Sequence, residues 1–348
     1  MKLQRDVPLA DYTSLKAGGP AEQLLELEAG DSLTDAIKTA DRPVWVLGFG
    51  TNVLISDKGL PGTVILNKYG GVEINEAGLV RAGSGAAWDD VVQAAINSGL
   101  YGLEFTSGIP GGVGAAVAGN IAAYGHKVAD SFAEATMLDT SDGSISIWQA
   151  GRFGFDYRSS VLRQPDMHHL VILDAAFQLK PAPADELEYE SALKTASELN
   201  LRADSLENRR KIIIETRRKA GSLLPDIQAR PWTAGSFFKN PLVDEAQVQA
   251  IISHEESSIK REQLLRQNVI HGGSQKRVSA AHVLLAAGFA RGQAWGPVRL
   301  HPEHILKIEN TGGAAAQDIY NVVQEIINKV KQKLNITLEP EVQFLGEF

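Results

Sequence analysis

Three stretches of this chain could bring backbone against an anion without a charged side chain. They are Gly48-Phe49-Gly50-Thr51-Asn52, Gly83-Ser84-Gly85 and GIPGGVGAAVAGNIAAYG, from Gly108 to Gly125. Without a Cβ, glycine lets peptide N–H groups approach a pyrophosphate closely. The same glycines suit three tight turns using φ > 0, and spacing alone leaves both readings open. The long run tips the balance slightly. Small residues throughout make it a poor core segment, and they suit backbone laid against a large flat ligand.

The commoner phosphate cradles are excluded. Gly48-Phe49-Gly50 follows the strand-like VWVLG, but the third glycine and the helix of a dinucleotide fingerprint are missing, and the β-rich VLI comes next. No G-x-x-x-x-G-K-[ST] occurs. There is no cysteine, so disulfides and thiolate metal sites are excluded. His168-His169 lacks a third ligand nearby in sequence, so no metal site is expected.

A formal net charge of −8 argues against general nucleic-acid binding, while leaving room for a small anion held by local arginines. No apolar run is long enough to cross a bilayer, and the N-terminus lacks the apolar core of a signal peptide. A cytoplasmic protein is expected, with oligomeric state open and a monomer as the default. The 348 residues suggest two or three domains.

The elements that must position these loops follow from periodicity. Val44–Gly48, Val53–Ile55, Gly62–Asn67, GLVRAG and His169–Lys180 read as strands. Trp88, Val91, Val92, Ala95 and Ile96 share one helical face, which Gly99 ends. A helix is expected around Asn208–Lys219, and Ser222–Ser236 reads as an irregular linker. Asp244 should cap a helix with Val248, Ile251 and Ile252. Ser279 should cap another that Gly288 ends. Ile319 to Val330 line one face of a last long helix, and ITLEPEVQF reads as a strand. Strands and helices mix throughout, so the class is α/β or α+β.

GFGTN, GIPGGVGAAVAGNIAAYG, DYRSS, AGSFFKNP and LEPEVQF occur in that order. Together they resemble the UDP-N-acetylenolpyruvoylglucosamine reductase family of bacterial peptidoglycan synthesis, over nearly the whole chain and in its longer-loop class. The resemblance implies an α+β chain. A PCMH-type flavin-binding module of two subdomains would span 1–70 and 71–225. A substrate-binding domain would span 226–335, and a final strand within 336–348 would return to the first subdomain. It also implies non-covalent FAD, NADPH as reductant, and UDP-N-acetylglucosamine enolpyruvate as substrate, giving UDP-N-acetylmuramate.

Hydride added to an enolpyruvate pushes electrons toward its carboxylate, and that charge must be stabilised where it develops. By resemblance, Arg158 would clamp it, Glu341 would be the second stabiliser, and Ser236 would give the proton. A carboxylic acid helps only if burial keeps it protonated, and an isolated serine is a weak acid that needs an assisting neighbour. Without the family, these three read as a surface arginine, an edge charge and a turn cap. The expected flavin contacts are Gly48, Gly50, Thr51, Asn52, Gly83, Gly108, Ile109, Pro110, Gly111, Gly114, Asn120 and Tyr124. The expected substrate contacts are Tyr189, Lys239, Asn240, Lys219 and His304, with Arg217 near the same basic position as Lys219. Gly112, Thr51 and Gln343 depart from the usual residues. The competing readings are an FAD oxidase of an alcohol or sugar, and a non-catalytic sugar-nucleotide binder.

Overall fold

The computed structural model describes residues 1–68, 70–183, 186–224, 227–254, 264–265 and 277–348. It divides into two units. The first comprises Met1–Val7, Ala21–Phe49 and Pro61–Pro225, and the second Pro8–Pro20, Gly50–Leu60 and Asp226–Phe348. Helices and strands occur in both, in runs and not in strict alternation, as in an α+β chain.

In the first unit, a four-stranded sheet runs in the order Lys2–Pro8, Pro20–Glu26, Leu60–Leu66, Val44–Leu47. The last two strands are parallel, with Val46 opposite Ile65. A five-stranded sheet runs Ile145–Gln149, Phe132–Asp139, Leu170–Gln178, Leu79–Gly83, Val72–Ile74. All of its pairings are antiparallel. Helix Trp88–Asn97 buries the five residues that its spacing selects, and packs them with Phe177 and Val113 in one core.

The glycine-rich run differs from expectation in its middle. Val113–Ala118 is a short helix, and Val113 and Val117 are fully buried in that core. Its small residues therefore serve internal packing as well as any ligand.

Helix Leu206–Lys219 starts at Ser205, whose side chain accepts the Asn208 N–H at 3.2 Å. One face buries Arg209, Ile212, Ile213 and Thr216. Arg209 lies 2.8 Å from Glu104, with side chains only 5% and 2% exposed. Its guanidinium also sits over the rings of Phe105 and Tyr101. Glu104 takes the Gly102 N–H as well, at 2.6 Å. The pair is thus well satisfied, and breaking it would leave a buried charge alone.

In the second unit, Trp232–Ser236, Lys307–Asn310, Val298–Leu300 and Ala294–Trp295 form an antiparallel sheet in that order. Helices Glu245–Ile252, Ala280–Ala286 and Ala316–Leu334 supply its core through Val248, Val283, Val323 and Ile326. Asp244 caps the first of these as expected, and Gln247 reaches back to complete a capping box. Ser279 makes no side-chain cap bond; Asn240 Oδ1 takes the Ala280 N–H instead, at 2.9 Å. The expected terminal strand shrinks to Gln343–Leu345, parallel to Val53–Ile55. The proline at 340 cannot extend a ladder. The stretch read as a linker, Ser222–Ser236, includes residues 225 and 226, which lie outside the described residues. Its last five residues are the strand Trp232–Ser236.

Glu104→Ala should destabilise the fold by about 3–5 kcal/mol, because it strands a buried guanidinium. Replacing both partners, Glu104→Leu with Arg209→Met, should recover most of that loss. Urea denaturation of the two variants would check this; equal losses would show that the charge pairing does not matter.

Candidate functional site

The first unit holds Gly48, the Gly83–Gly85 turn and the Gly108–Gly125 run, while Gly50, Thr51 and Asn52 belong to the second. Gly114 N–H donates to the Ser84 carbonyl at 2.9 Å, and Val113 N–H to that of Ala86 at 3.0 Å. Trp88 N–H donates to the Gly111 carbonyl at 2.9 Å. A trans peptide points its N–H opposite its carbonyl, so the Gly112 N–H is turned away from that partner. A Cβ on Gly83 would come within 2.9 Å of Gly70 Cα, and one on Gly114 within 3.0 Å of Ser84 Cβ. At Gly48 a Cβ would meet only the Asn67 carbonyl, at 3.8 Å. The Val113 and Gly114 N–H groups are spent on the carbonyls of Ala86 and Ser84; among the described residues the Gly111 and Gly112 N–H groups make no backbone bond, and two adjacent neutral donors of this kind fit the diphosphate of a dinucleotide.

Gly108 begins the run at φ +73°, and its peptide groups are held on both sides. Its N–H donates to Asp89 Oδ1 at 2.6 Å, and its carbonyl accepts from Arg217 Nε at 3.2 Å. A Cβ there would stand 2.7 Å from Ile214 Cδ1 and 2.8 Å from Leu223 Cδ2. Ile109 N–H bonds the Thr106 carbonyl at 3.3 Å, and Pro110 follows.

Asp89 also receives Arg210 bidentately, at 2.7 and 2.8 Å. Burial pushes its carboxyl up, but Arg210 and the Gly108 N–H outweigh this and hold it below the usual range. Arg210, Ile214 and Arg217 recur at helical spacing on helix Leu206–Lys219, so one face presents all three to the start of the run.

Arg217 Nη2 donates to the Ser222 carbonyl at 2.7 Å, and the guanidinium also bonds Tyr124. Burial lowers the Arg217 pKa, and the neighbouring Arg158 charge lowers it further. Burial raises that of Tyr124, whose ring meets Tyr189 edge-on at 5.2 Å between centroids. Gly108, Tyr124, Tyr189 and Arg158 are therefore drawn around Arg217. Lys219 instead lies on Glu198 and 3.8 Å from Glu215.

Arg158 occupies the left-handed region at φ +52°, in a tight turn closed by Asp156 and Ser159. Such strain persists only when neighbours impose it. Two do so. Asn120 Nδ2 donates to the Asp156 carbonyl at 2.9 Å while its Oδ1 accepts the Ala129 N–H at 3.0 Å. Ser160 Oγ donates to the Ala118 carbonyl at 2.7 Å. Asn120 thus ties the end of the glycine run to the arginine turn.

The second unit holds Ser236 and Glu341. Thr233 faces Glu309 and Ser236 faces Lys307, so three steps on one strand oppose two on the other. The extra residue is Gly235, at φ +79°, a bulge that turns Ser236 to the same sheet face as Lys307 and Glu309. Lys307 and Glu309 are buried. Glu341 N–H donates to the Phe237 carbonyl at 2.8 Å, and Lys239 N–H to that of Glu339 at 2.9 Å, so Glu341 is brought beside Ser236 through the chain. Asn52 Nδ2 donates to the Glu341 carbonyl at 3.1 Å. Gly50 and Thr51 offer carbonyls to Ser14, at 3.0 and 3.4 Å. Lys239 Nζ pairs with Glu339 at 3.0 Å, and Asn240 caps a helix as described.

His304 lies in the turn before Lys307. Burial, then the Lys307 ammonium, pushes its pKa from 6.5 to about 4. A base depressed on folding stabilises fully above its unfolded pKa, and that stability is lost as pH falls from 6.5 toward 4. Acidification from pH 7 to about 4.5 should therefore cost about 2–3 kcal/mol through this group. His304→Gln should remove that share; equal pH slopes for both proteins in denaturant titrations would refute it.

Of these residues, Asp89 and Arg210 escaped the sequence reading. The signal was present as the i, i+4, i+7 spacing of Arg210, Ile214 and Arg217, but it does not say what the face meets.

The chain is similar to known proteins over nearly its whole length. Residues 226–345 match the family "UDP-N-acetylenolpyruvoylglucosamine reductase, C-terminal domain", and residues 23–147 match "FAD binding domain". The UDP-N-acetylenolpyruvoylglucosamine reductase of Thermobifida fusca is 31% identical over 98% of this chain and 98% of its own. That of Saccharopolyspora erythraea is 34% identical over 96% and 93%. The crystal structure of the Thermus caldophilus reductase is similar at a TM-score of 0.60 and 25% identity, covering 99% of this chain and 100% of that one. The chain belongs to the UDP-N-acetylenolpyruvoylglucosamine reductase family, FAD-binding oxidoreductases of peptidoglycan synthesis.

Proposed function

We propose that this chain reduces UDP-N-acetylglucosamine enolpyruvate to UDP-N-acetylmuramate with electrons from NADPH, and that Ser236 supplies the final proton. The observation that carries the proton-donor role is the Gly235 bulge, which sets the Ser236 hydroxyl on a sheet face with Glu341 bonded alongside. Among the described residues nothing hydrogen-bonds that hydroxyl, which leaves it available to a ligand. Bound FAD supplies the hydride chemistry. The loops at Gly48, Gly83 and Gly108–Gly114 would hold it, with Gly50–Asn52, Asn120 and Tyr124 contributing.

The chain's own residues would do the rest. Arg158, already held in a strained turn, would hydrogen-bond the substrate carboxylate as negative charge grows there. Glu341 would be the second stabiliser of the same charge. The Ser236 O–H bond would break as a C–H bond forms at the α-carbon. Tyr189, Lys219, Lys239, Asn240 and His304 would contact the substrate, the two lysines exchanging carboxylate partners for an anionic ligand. The division into 1–70, 71–225 and 226–335 is part of this reading, supported by the pairing of Gln343–Leu345 with Val53–Ile55. So is a cytoplasmic monomer; no helix among the described residues is long and apolar enough to cross a membrane.

Anaerobic half-reactions test the proposal. NADPH should bleach the protein-bound flavin, and the enolpyruvyl substrate should restore its absorbance. Ser236→Ala should leave the first step unchanged and slow the second by about 10²-fold or more. Reoxidation at the wild-type rate would remove Ser236 from proton transfer, and no reoxidation of the wild type would overturn the substrate.

A further inference from the structure

The Asp89–Gly108–Arg217 clamp has no part in the reaction as described, yet it takes hold of the backbone where the glycine run begins. Gly108 is the one residue of the run whose N–H and C=O are both bonded by charged side chains, at 2.6 and 3.2 Å. The two side chains come from different helices, Trp88–Asn97 and Leu206–Lys219. Arg210 joins these helices a second time through its bidentate contact with Asp89.

Arg217 is also charged in a setting that should disfavour charge. Burial is the largest influence on it and lowers its pKa; Tyr124 and the Asp89 charge oppose this without outweighing it, and Arg158 adds a like charge. Among the described residues its hydrogen bonds go to the carbonyls of Gly108 and Ser222 and to the Tyr124 phenol, with no carboxylate among them. A cation retained there at such cost needs a compensating role, and the three acceptors indicate one. Nε and Nη2 of the planar fork hold two carbonyls at once, a geometry that one ammonium cannot reproduce.

We propose that Arg217 and Asp89 are positioning residues for the cofactor. They lock the Gly108 peptide in one orientation, so that the N–H groups downstream present a preformed cradle to the FAD diphosphate. Through Tyr124 the same guanidinium fixes the Tyr124–Tyr189 ring pair. This inference rests on the reading that the run binds FAD. Preorganised donors bind more tightly because less ordering remains to be done on association.

The test uses full-length apoprotein titrated with FAD by calorimetry and by quenching of flavin fluorescence, well below every variant's melting temperature. Arg217→Met should weaken FAD at least about tenfold, since a hydrogen bond to a charged group is worth roughly that in an equilibrium constant. Arg217→Lys should restore little of it, because charge returns without the fork. Asp89→Asn, which keeps an acceptor for the Gly108 N–H but loses the bidentate pair, should fall between wild type and Arg217→Met. Ile213→Val serves as a control that lowers thermal stability from the same helix; it should leave FAD affinity within threefold of wild type. FAD affinities within threefold of wild type in both Arg217 variants would overturn the inference, as would an equal loss in the control. Wild-type apoprotein that takes up no FAD would overturn the underlying flavin reading instead.

Discussion

Everything in the first unit that could meet a ligand depends on how helix Leu206–Lys219 is fastened. Its charged residues are used as fixings. Arg209 anchors the buried face to Glu104, and Arg210 and Arg217 carry the adjoining face to Asp89 and Gly108. A buried ion pair gives little net stability against a hydrophobic substitute, but it strongly penalises any arrangement that separates the partners. Charge pairing therefore specifies register here. It decides which turn of the helix stands beside the glycine run, while Ile212 and Ile213 supply the non-directional burial. Hydrophobic contact alone would tolerate a helix rotated by part of a turn; the Arg209–Glu104 pair would not.

The second unit solves a different geometric problem with one glycine. Thr233 and Ser236 are separated by an odd number of residues, so a regular strand would put them on opposite faces. With Gly235 bulged, both share the face that carries Lys307 and Glu309. The Phe237-Phe238 pair then drives the following segment into the core, and backbone hydrogen bonds from Glu341 N–H to the Phe237 carbonyl and from Lys239 N–H to the Glu339 carbonyl fix Glu341 beside it. The sequence AGSFFKNP thus encodes a bulge, a hydroxyl and an anchor in successive positions.

Much of the scaffold was legible in the sequence because it depends on local periodicity. Helix Trp88–Asn97 buries the residues that its spacing selects, and the capping box at Asp244 forms where Asp and Gln stand at the right distance. What was not legible depends on contacts distant in sequence. The cap expected from Ser279 comes from Asn240, some forty positions earlier, because that carbonyl oxygen reaches the Ala280 N–H first. The terminal strand is shorter than its apolar pattern suggests because a proline interrupts it. The short helix Val113–Ala118 is not legible because VGAAVA is small and apolar throughout and has no polar face to contrast with Val113 and Val117, which are core residues.

The same limit explains why the candidate site was only partly visible. Residue type marks Arg158 and Ser236 as able to do chemistry, but the features that make them distinctive are conformational. Arg158 sits at positive φ because Asn120 and Ser160 hold its turn from outside. Asn120, expected as a ligand contact, spends both ends of its amide on that task. A residue can therefore matter to binding through what it holds in place as well as through contact, provided its partners are themselves rigid. Here they are: Asp156 closes the arginine turn, and Ala129 belongs to the short turn Val128–Asp130 against the buried Val128. Strain at Arg158 persists because the surrounding hydrogen bonds leave the turn no relaxed alternative, which makes the backbone position from which this side chain starts a property of the scaffold.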